Sequence, residues 1–284
     1  MSDASSVSAA TGLADFDDLE FHYNPRVSVP EAPALIAEWD SRASAARALL
    51  PPQTVRYGRA ERETIDVFRP ARPRGTLLFV HGGYWRALAK EQFSWIAPPW
   101  VEAGVTVALM EYPLCPAVTV AEIARGCRRG LAALVERLTP AERRIAVAGH
   151  SAGGYLAADL LTADWPTPPP LAGVLSISGV FDPAPLIATS INADIRLTPE
   201  SAGALSLLAR APTLAAPLAL AVGELEPEAF HRQSDALASH WHQLTPERMT
   251  VDATNHFTVL EPLVDPASPL WRRLDYWLWP QLLG

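Results

Sequence analysis

Two spacings of apolar residues alternate along this chain. Between Pro30 and Leu50, the residues Ala34, Leu35, Trp39, Ala43, Ala46, Leu49 and Leu50 fall mostly three or four apart, the repeat of a helix with one buried face, and Pro51-Pro52 end it. Thr64 to Phe68 then predicts a strand and Thr76 to Val80 a stronger one, because an unbroken apolar run suits a strand covered on both faces. Beyond these the pattern predicts a helix over Lys90 to Ala103, a strand over Val105 to Met110, a helix over Val118 to Leu138 and a strand over Ile145 to Ala148. A helix follows from Ala152 to Thr162, then strands over Leu171 to Ile177 and Pro217 to Val222, a helix over Pro227 to His242 and a last strand over Arg248 to Asp252, with Asp164 to Pro170 as a Pro-rich surface loop. Such an alternation requires right-handed crossovers, and so implies an α/β fold with a mostly parallel central sheet and helices on both faces. No internal repeat or linker divides it. Residues 21–284 are therefore expected to form a single domain, and the small, polar, acidic residues 1–20 a flexible N-terminal segment. Two stretches outside the alternation, 21–60 and 179–210, are expected to cover the active site as a small partial cap.

Composition narrows what such a domain does. With 49% hydrophobic and 19% charged residues the chain can bury a large core, and a net charge of -8 opposes binding to nucleic acid, where Lys and Arg must neutralise phosphates. Cys115 and Cys127 are too few for a disulfide framework and match no zinc-ligand spacing. No HExxH and no carboxylate-rich ligand pattern appears, so neither a metal nor a cofactor is expected. The first residues lack a basic and then apolar leader, and no long apolar run follows. The expected setting is cytoplasmic, with no membrane partner, a small-molecule substrate, and a homodimer left open.

The chemistry-bearing residues lie at strand ends. Gly149-His150-Ser151-Ala152-Gly153 is a G-x-S-x-G between the strand at Ile145 and a helix. The pentapeptide is common and could be a plain strand-to-helix turn with a capping serine; its placement is what makes it specific. A nucleophile elbow needs a sharp, strained turn there, with glycines where a Cβ would strike neighbouring strands. His81-Gly82-Gly83-Tyr84-Trp85 directly follows the strand at Thr76. In an α/β-hydrolase fold that loop supplies one half of an oxyanion hole, and the residue after the nucleophile, Ala152, the other. Gly82 and Gly83 are therefore the candidate loop residues.

A general base must come late in the chain. Of seven histidines, His256 follows the last strand, whereas His231, His240 and His242 lie on a predicted helix and His22 has no motif around it. His81 and His150 adjoin the two loops and are expected to pack and orient them. For the acid, the loop after Val222 offers Glu224, Glu226 and Glu228, with Asp252 a fourth candidate, and spacing does not choose among them.

Taken together, Tyr23-Asn24-Pro25-Arg26, HGGYW at 81–85, GHSAGG at 149–154, Ser178-Gly179-Val180-Phe181-Asp182, FHRQS at 230–234 and Asn255-His256-Phe257 resemble the α/β-hydrolase type of kynurenine formamidase, also called arylformamidase. The resemblance implies Ser151 as nucleophile, His256 as base and an acid four residues before Phe230, which is Glu226. The family often has Asp there, and the longer Glu demands a slightly more distant loop. It further implies cleavage of N-formylkynurenine through a formyl-enzyme, with the N–H groups of Gly83 and Ala152 on the oxyanion. A formyl group needs little room and an aryl amine a broad apolar face, for which Tyr84, Trp85, Phe181 and Phe257 are candidates. Two other functions fit the same motifs: a carboxylesterase for short-acyl esters, and a non-catalytic small-molecule receptor on a hydrolase scaffold.

Overall fold

Among residues 11–280, which the computed structural model describes, eight strands form one sheet. They are β1 (Gln53–Arg56), β2 (Thr64–Phe68), β3 (Thr76–Val80), β4 (Thr106–Met110), β5 (Ile145–His150), β6 (Leu171–Ile177), β7 (Leu218–Gly223) and β8 (Glu247–Val251), in the spatial order β1-β2-β4-β3-β5-β6-β7-β8. The pairs β1/β2 and β2/β4 are antiparallel and all others parallel. The central strands are buried along their whole length because successive side chains enter two different cores. Leu78 and Val80 of β3 join one apolar cluster, Leu77 and Phe79 the other, and β5 divides likewise between Ile145 and Val147 on one face and Ala146 and Ala148 on the other.

Helices close both faces. Helices α1 (Ala32–Leu49), α2 (Ala97–Glu102) and a C-terminal helix, Pro269–Leu278, contribute Trp39, Trp100 and Trp271 to one cluster. Helices α3 (Val120–Val135), α4 (Ala152–Asp159) and α5 (Glu228–His240) contribute Leu131, Leu156 and Phe230 to the other. The start of α3 is fixed by a reciprocal cap in which Thr119 Oγ1 accepts from Glu122 N and Glu122 Oε2 accepts from Thr119 N. The expected helix over 90–103 is instead a 3-10 turn, Lys90–Ile96, followed by α2, because Pro98 and Pro99 lack the N–H groups an unbroken helix needs and instead sit in the first turn of a new one. Leu49, counted in the apolar face of α1, is 78% exposed; that face is Ala32, Trp39, Ala43 and Ala46.

The expected flexible segment 1–20 needs correcting where it is described. Residues 1–10 lie outside the described residues, but Leu13 is fully buried, its carbonyl accepts from Tyr23 Oη at 2.7 Å, and Phe16 stacks on His22. One apolar side chain in a core and one buried hydrogen bond hold this stretch against the domain. No helix among the described residues is long and apolar enough to cross a membrane.

Candidate active site

Ser151 sits where β5 turns into α4, with φ 55° and ψ −120°. A non-glycine residue held there costs about 1–3 kcal/mol, offset by surrounding contacts. One of these is its own N–H, which donates to Ile177 O at 2.8 Å. The flanking glycines are sterically required: a Cβ on Gly149 would lie 2.1 Å from Gly153 O, and one on Gly153 would lie 2.0 Å from Val80 O. Strand and helix thus approach closely enough to lift the serine out of the sheet.

His256 lies in the loop after β8, which Asn255 folds tightly by accepting from the N–H groups of Phe257 and Thr258 at 2.9 and 3.0 Å. Its Nδ1 is 2.6 Å from Glu226 Oε2. The other oxygen, Glu226 Oε1, accepts from Ser178 Oγ at 2.5 Å and from Gly223 N at 2.7 Å. With every neighbour of this buried carboxylate a donor, Nδ1 carries its proton toward Glu226 and Nε2 presents a lone pair. The other acids stand elsewhere. Glu224 is exposed and accepts from Ala253 N, Glu228 pairs with Arg232 on the surface, and Asp252 is exposed beyond the end of β8.

His150 joins the two loops. Its Nε2 donates to His256 O at 2.8 Å, and the two rings lie 4.8 Å apart. Burial, and secondarily the charge of His256, hold its pKa well below the ordinary histidine range, so it stays neutral beside the His256 ring. Ser151 and His256 open on one pocket. The serine hydroxyl makes no hydrogen bond to the ring in this conformation, as is common before a substrate draws such a pair together.

Across from Ser151 runs the 81–85 loop. A Cβ on Gly82 would lie 3.0 Å from Ser151 Cβ, and Gly83 takes φ +100°, where a Cβ would meet Ala87 O at 2.3 Å. Tyr84 and Trp85 follow with φ of 47° and 55°. Three successive residues of positive φ curl the loop around the pocket mouth. Ala152, as first residue of α4, has an N–H with no partner inside the helix.

The pocket holds about 220 Å³, against the ~150 Å³ of an engineered cavity that takes benzene, so one aryl ring with a substituent fits. Two of the four expected lining aromatics, Tyr84 and Phe257, border it. The other two do not. Trp85 is fully buried with its ring edge-on to Tyr155, and Phe181 is fully buried against Gly179, where a Cβ would lie 2.5 Å from its ring. Trp85 itself takes φ 55° directly after Gly83 and Tyr84 at positive φ, a turn of the backbone that alternation along a sequence does not reveal. In place of these two rings stand Ile36 and Trp39 of α1 and Leu88. Asn24, Pro25 and Arg26 also border the pocket, and the YNPR tetrapeptide was the signal for them. Of the two stretches expected to cover the site, 21–60 supplies the lining residues Asn24, Pro25, Arg26, Ile36 and Trp39, and 179–210 supplies none, though Asp194 pairs with the lining residue Arg86. No cluster of three or more His, Cys, Asp or Glu suited to a metal occurs among the described residues.

Fold and geometry together define the class. A family model of the alpha/beta hydrolase fold matches residues 77–245, and the chain belongs to that family of hydrolases. Within the family its relatives include the kynurenine formamidases. The Danio rerio kynurenine formamidase is 29% identical over 274 residues, covering 88% of this chain and 92% of its own, and the Salmo salar kynurenine formamidase is 28% identical over 230 residues, covering 74% and 76%. A crystal structure from Silicibacter sp., provisionally described as a thioesterase, matches with a TM-score of 0.83 and 30% identity over 91% of this chain and 99% of that one. Esterase B from Lactobacillus rhamnosis shares the fold, with a TM-score of 0.63 at 19% identity over 88% and 96% of the two chains.

Proposed function

We propose that this hydrolase cleaves the formyl group from an aryl formamide, N-formylkynurenine being the best candidate, through a formyl-enzyme on Ser151. Ser151 Oγ attacks the formyl carbon while His256 Nε2 takes its proton, and Glu226 holds the ring in the required tautomer and stabilises its cation. The N–H groups of Gly83 and Ala152 receive the oxyanion, with Gly82 shaping their loop. Collapse of the tetrahedral intermediate breaks the C–N bond, and His256 returns the proton to the departing amine. Water then attacks the formyl ester, with His256 again as base, releasing formate and restoring the serine hydroxyl. No metal or cofactor enters these steps.

The observation that carries this proposal is the 2.6 Å contact between His256 Nδ1 and a carboxylate whose remaining oxygen is fully occupied by donors, on the rim of the pocket that holds Ser151. A receptor without catalysis has no need of such a contact. The largely apolar lining of Ile36, Trp39, Tyr84, Leu88 and Phe257 suits an aryl leaving group. The relatives named above favour the formamide. Esters leave more easily than amides, so some esterase activity is expected alongside. The test is a comparison of kcat/KM for N-formylkynurenine, 4-nitrophenyl acetate and a short acyl thioester. A preference for the formamide supports the proposal. No turnover of the formamide, with the ester or thioester turned over, replaces it with an esterase or thioesterase assignment.

A further inference from the structure

Behind the 81–85 loop lies a buried network that the mechanism above does not use. His81 is 1% exposed, with Nδ1 2.8 Å from Gly82 O and Nε2 2.9 Å from Glu111 Oε1. Both partners only accept. A peptide carbonyl carries no proton, and the Glu111 carboxylate is surrounded by donors: Arg62 Nη2 at 2.7 Å and Tyr112 N at 2.8 Å on Oε1, and Lys90 N at 3.0 Å on Oε2. Burial acts to raise the Glu111 carboxyl, but His81 and Arg62 outweigh it and hold the group below the usual carboxylate range. A neutral imidazole has one N–H and cannot satisfy two acceptors. The geometry therefore calls for donation from both ring nitrogens. The rings of Tyr112 and Phe93, 4.2 and 5.9 Å away and within 11° and 13° of parallel, stack on the imidazole and fix its plane.

The consequence appears in the next peptide unit. Tyr112 Oη lies 3.2 Å from Gly82 O but gives its one proton over the shorter 2.8 Å bond to His81 O, so the His81 ring is the main donor holding Gly82 O on the buried side of the loop. In a planar trans peptide the carbonyl and the following N–H point in opposite directions. Holding Gly82 O toward His81 and Tyr112 therefore turns the N–H of Gly83 the other way, and Gly83 borders the pocket. We propose that His81 is a positioning residue: doubly protonated and fixed on Glu111, it pins the Gly82 carbonyl and so aims the Gly83 N–H at the oxyanion. The proposal rests on Ser151 as nucleophile and Gly83 as an oxyanion donor.

The test uses the full chain and two variants, His81→Ala and His81→Asn, the second keeping an amide N–H near the position of Nδ1. Because removal of one oxyanion donor costs about 10²–10³ in kcat, His81→Ala should lower kcat about 100-fold while KM stays within about threefold, and His81→Asn should recover to within about tenfold of the parent. These ratios are measured on both N-formylkynurenine and 4-nitrophenyl acetate, so that the choice of substrate does not enter. Nitrogen-15 NMR of the histidine-labelled parent at neutral pH, with the His81 signals assigned by their loss in His81→Asn, should show protons on both ring nitrogens. One bare nitrogen in that spectrum overturns the proposal even where His81→Ala fails to fold. So does a His81→Ala enzyme that keeps its kcat, or a His81→Asn enzyme as slow as His81→Ala. Ser151→Ala is run in parallel, and full activity there removes the underlying site assignment instead.

Discussion

Replacing Glu226 by glutamine exchanges one carboxylate oxygen for an amino group and should nearly abolish turnover. Three donors face the two carboxylate oxygens: Ser178 Oγ and Gly223 N on Oε1, and His256 Nδ1 on Oε2. An amide offers one acceptor, so one side must lose. If the amide oxygen takes the Oε1 place, its NH2 group faces Nδ1, and the ring must move its proton to Nε2, the nitrogen that has to accept from Ser151. If it flips, NH2 opposes a hydroxyl that can rotate and the buried Gly223 N–H that cannot, and orphaning that N–H costs about 1–3 kcal/mol. The first arrangement wins, and with it the wrong tautomer. A carboxylate-to-amide change beside a catalytic histidine lowers kcat about 10⁴-fold in the best-studied serine proteases, about 5 kcal/mol of transition-state stabilisation. The assay is kcat on formamide and ester, with thermal unfolding to establish that the variant folds. A Glu226→Gln enzyme within tenfold of the parent, or a greater loss in Glu224→Gln, would refute the reasoning.

Three further outcomes follow from the same geometry. Ser151→Ala should lower kcat by about four to six decades with the fold intact, and any covalent labelling by a fluorophosphonate should vanish with it. Gly153→Ala places a Cβ 2.0 Å from Val80 O, a backbone atom that cannot step aside, and should destabilise the domain by about 3 kcal/mol or more in a denaturant titration. His150 takes up a proton near pH 6.5 when unfolded but stays neutral when folded, so its contribution is complete above that pH and declines as pH falls toward its depressed folded pKa. Between pH 7 and 5.5 the parent should therefore lose about 1 kcal/mol more stability than His150→Gln, which keeps a donor for His256 O; equal slopes in urea melts at the two pH values would rule this out.

Much of this was legible in the primary order because the central strands are simple. Thr64–Phe68, Thr76–Val80 and Leu171–Ile177 have the bounds predicted for them, since burial on both faces makes them mostly apolar despite a few buried polar positions such as Asp66. Strand β1 escaped notice because only Val55 among its four residues is buried, an edge too short and polar to show a period. The helix Pro269–Leu278 was also missed, though Leu270, Trp271, Leu274, Trp277 and Leu278 fall at helical intervals. At the candidate site, Ser151, His256 and the two glycine-bearing loops could be proposed from the sequence because tight turns restrict which residues are allowed. Proposing Glu226 over Glu224 rests on the family resemblance and on its contact with His256, because two residues in one loop differ in direction rather than in chemistry. Trp85 and Phe181 failed as lining residues for the same reason: a sequence shows how large a ring is, and backbone torsions decide which way it faces.

One wall of the pocket comes from Asn24, Pro25, Arg26 and Trp39, none of which falls within residues 77–245, the stretch matched by the family model. Part of the pocket wall is thus encoded ahead of the stretch that carries Ser151 and the 81–85 loop, although Tyr84 and Leu88 of that stretch also line the pocket. An engineer could graft residues 12–49 from one family member onto the body of another and exchange preference while leaving the elbow untouched, provided Leu13 and Tyr23 travel together, since each anchors the other. The same economy is open to evolution: a duplicated copy can explore new substrates by drifting in its first fifty residues.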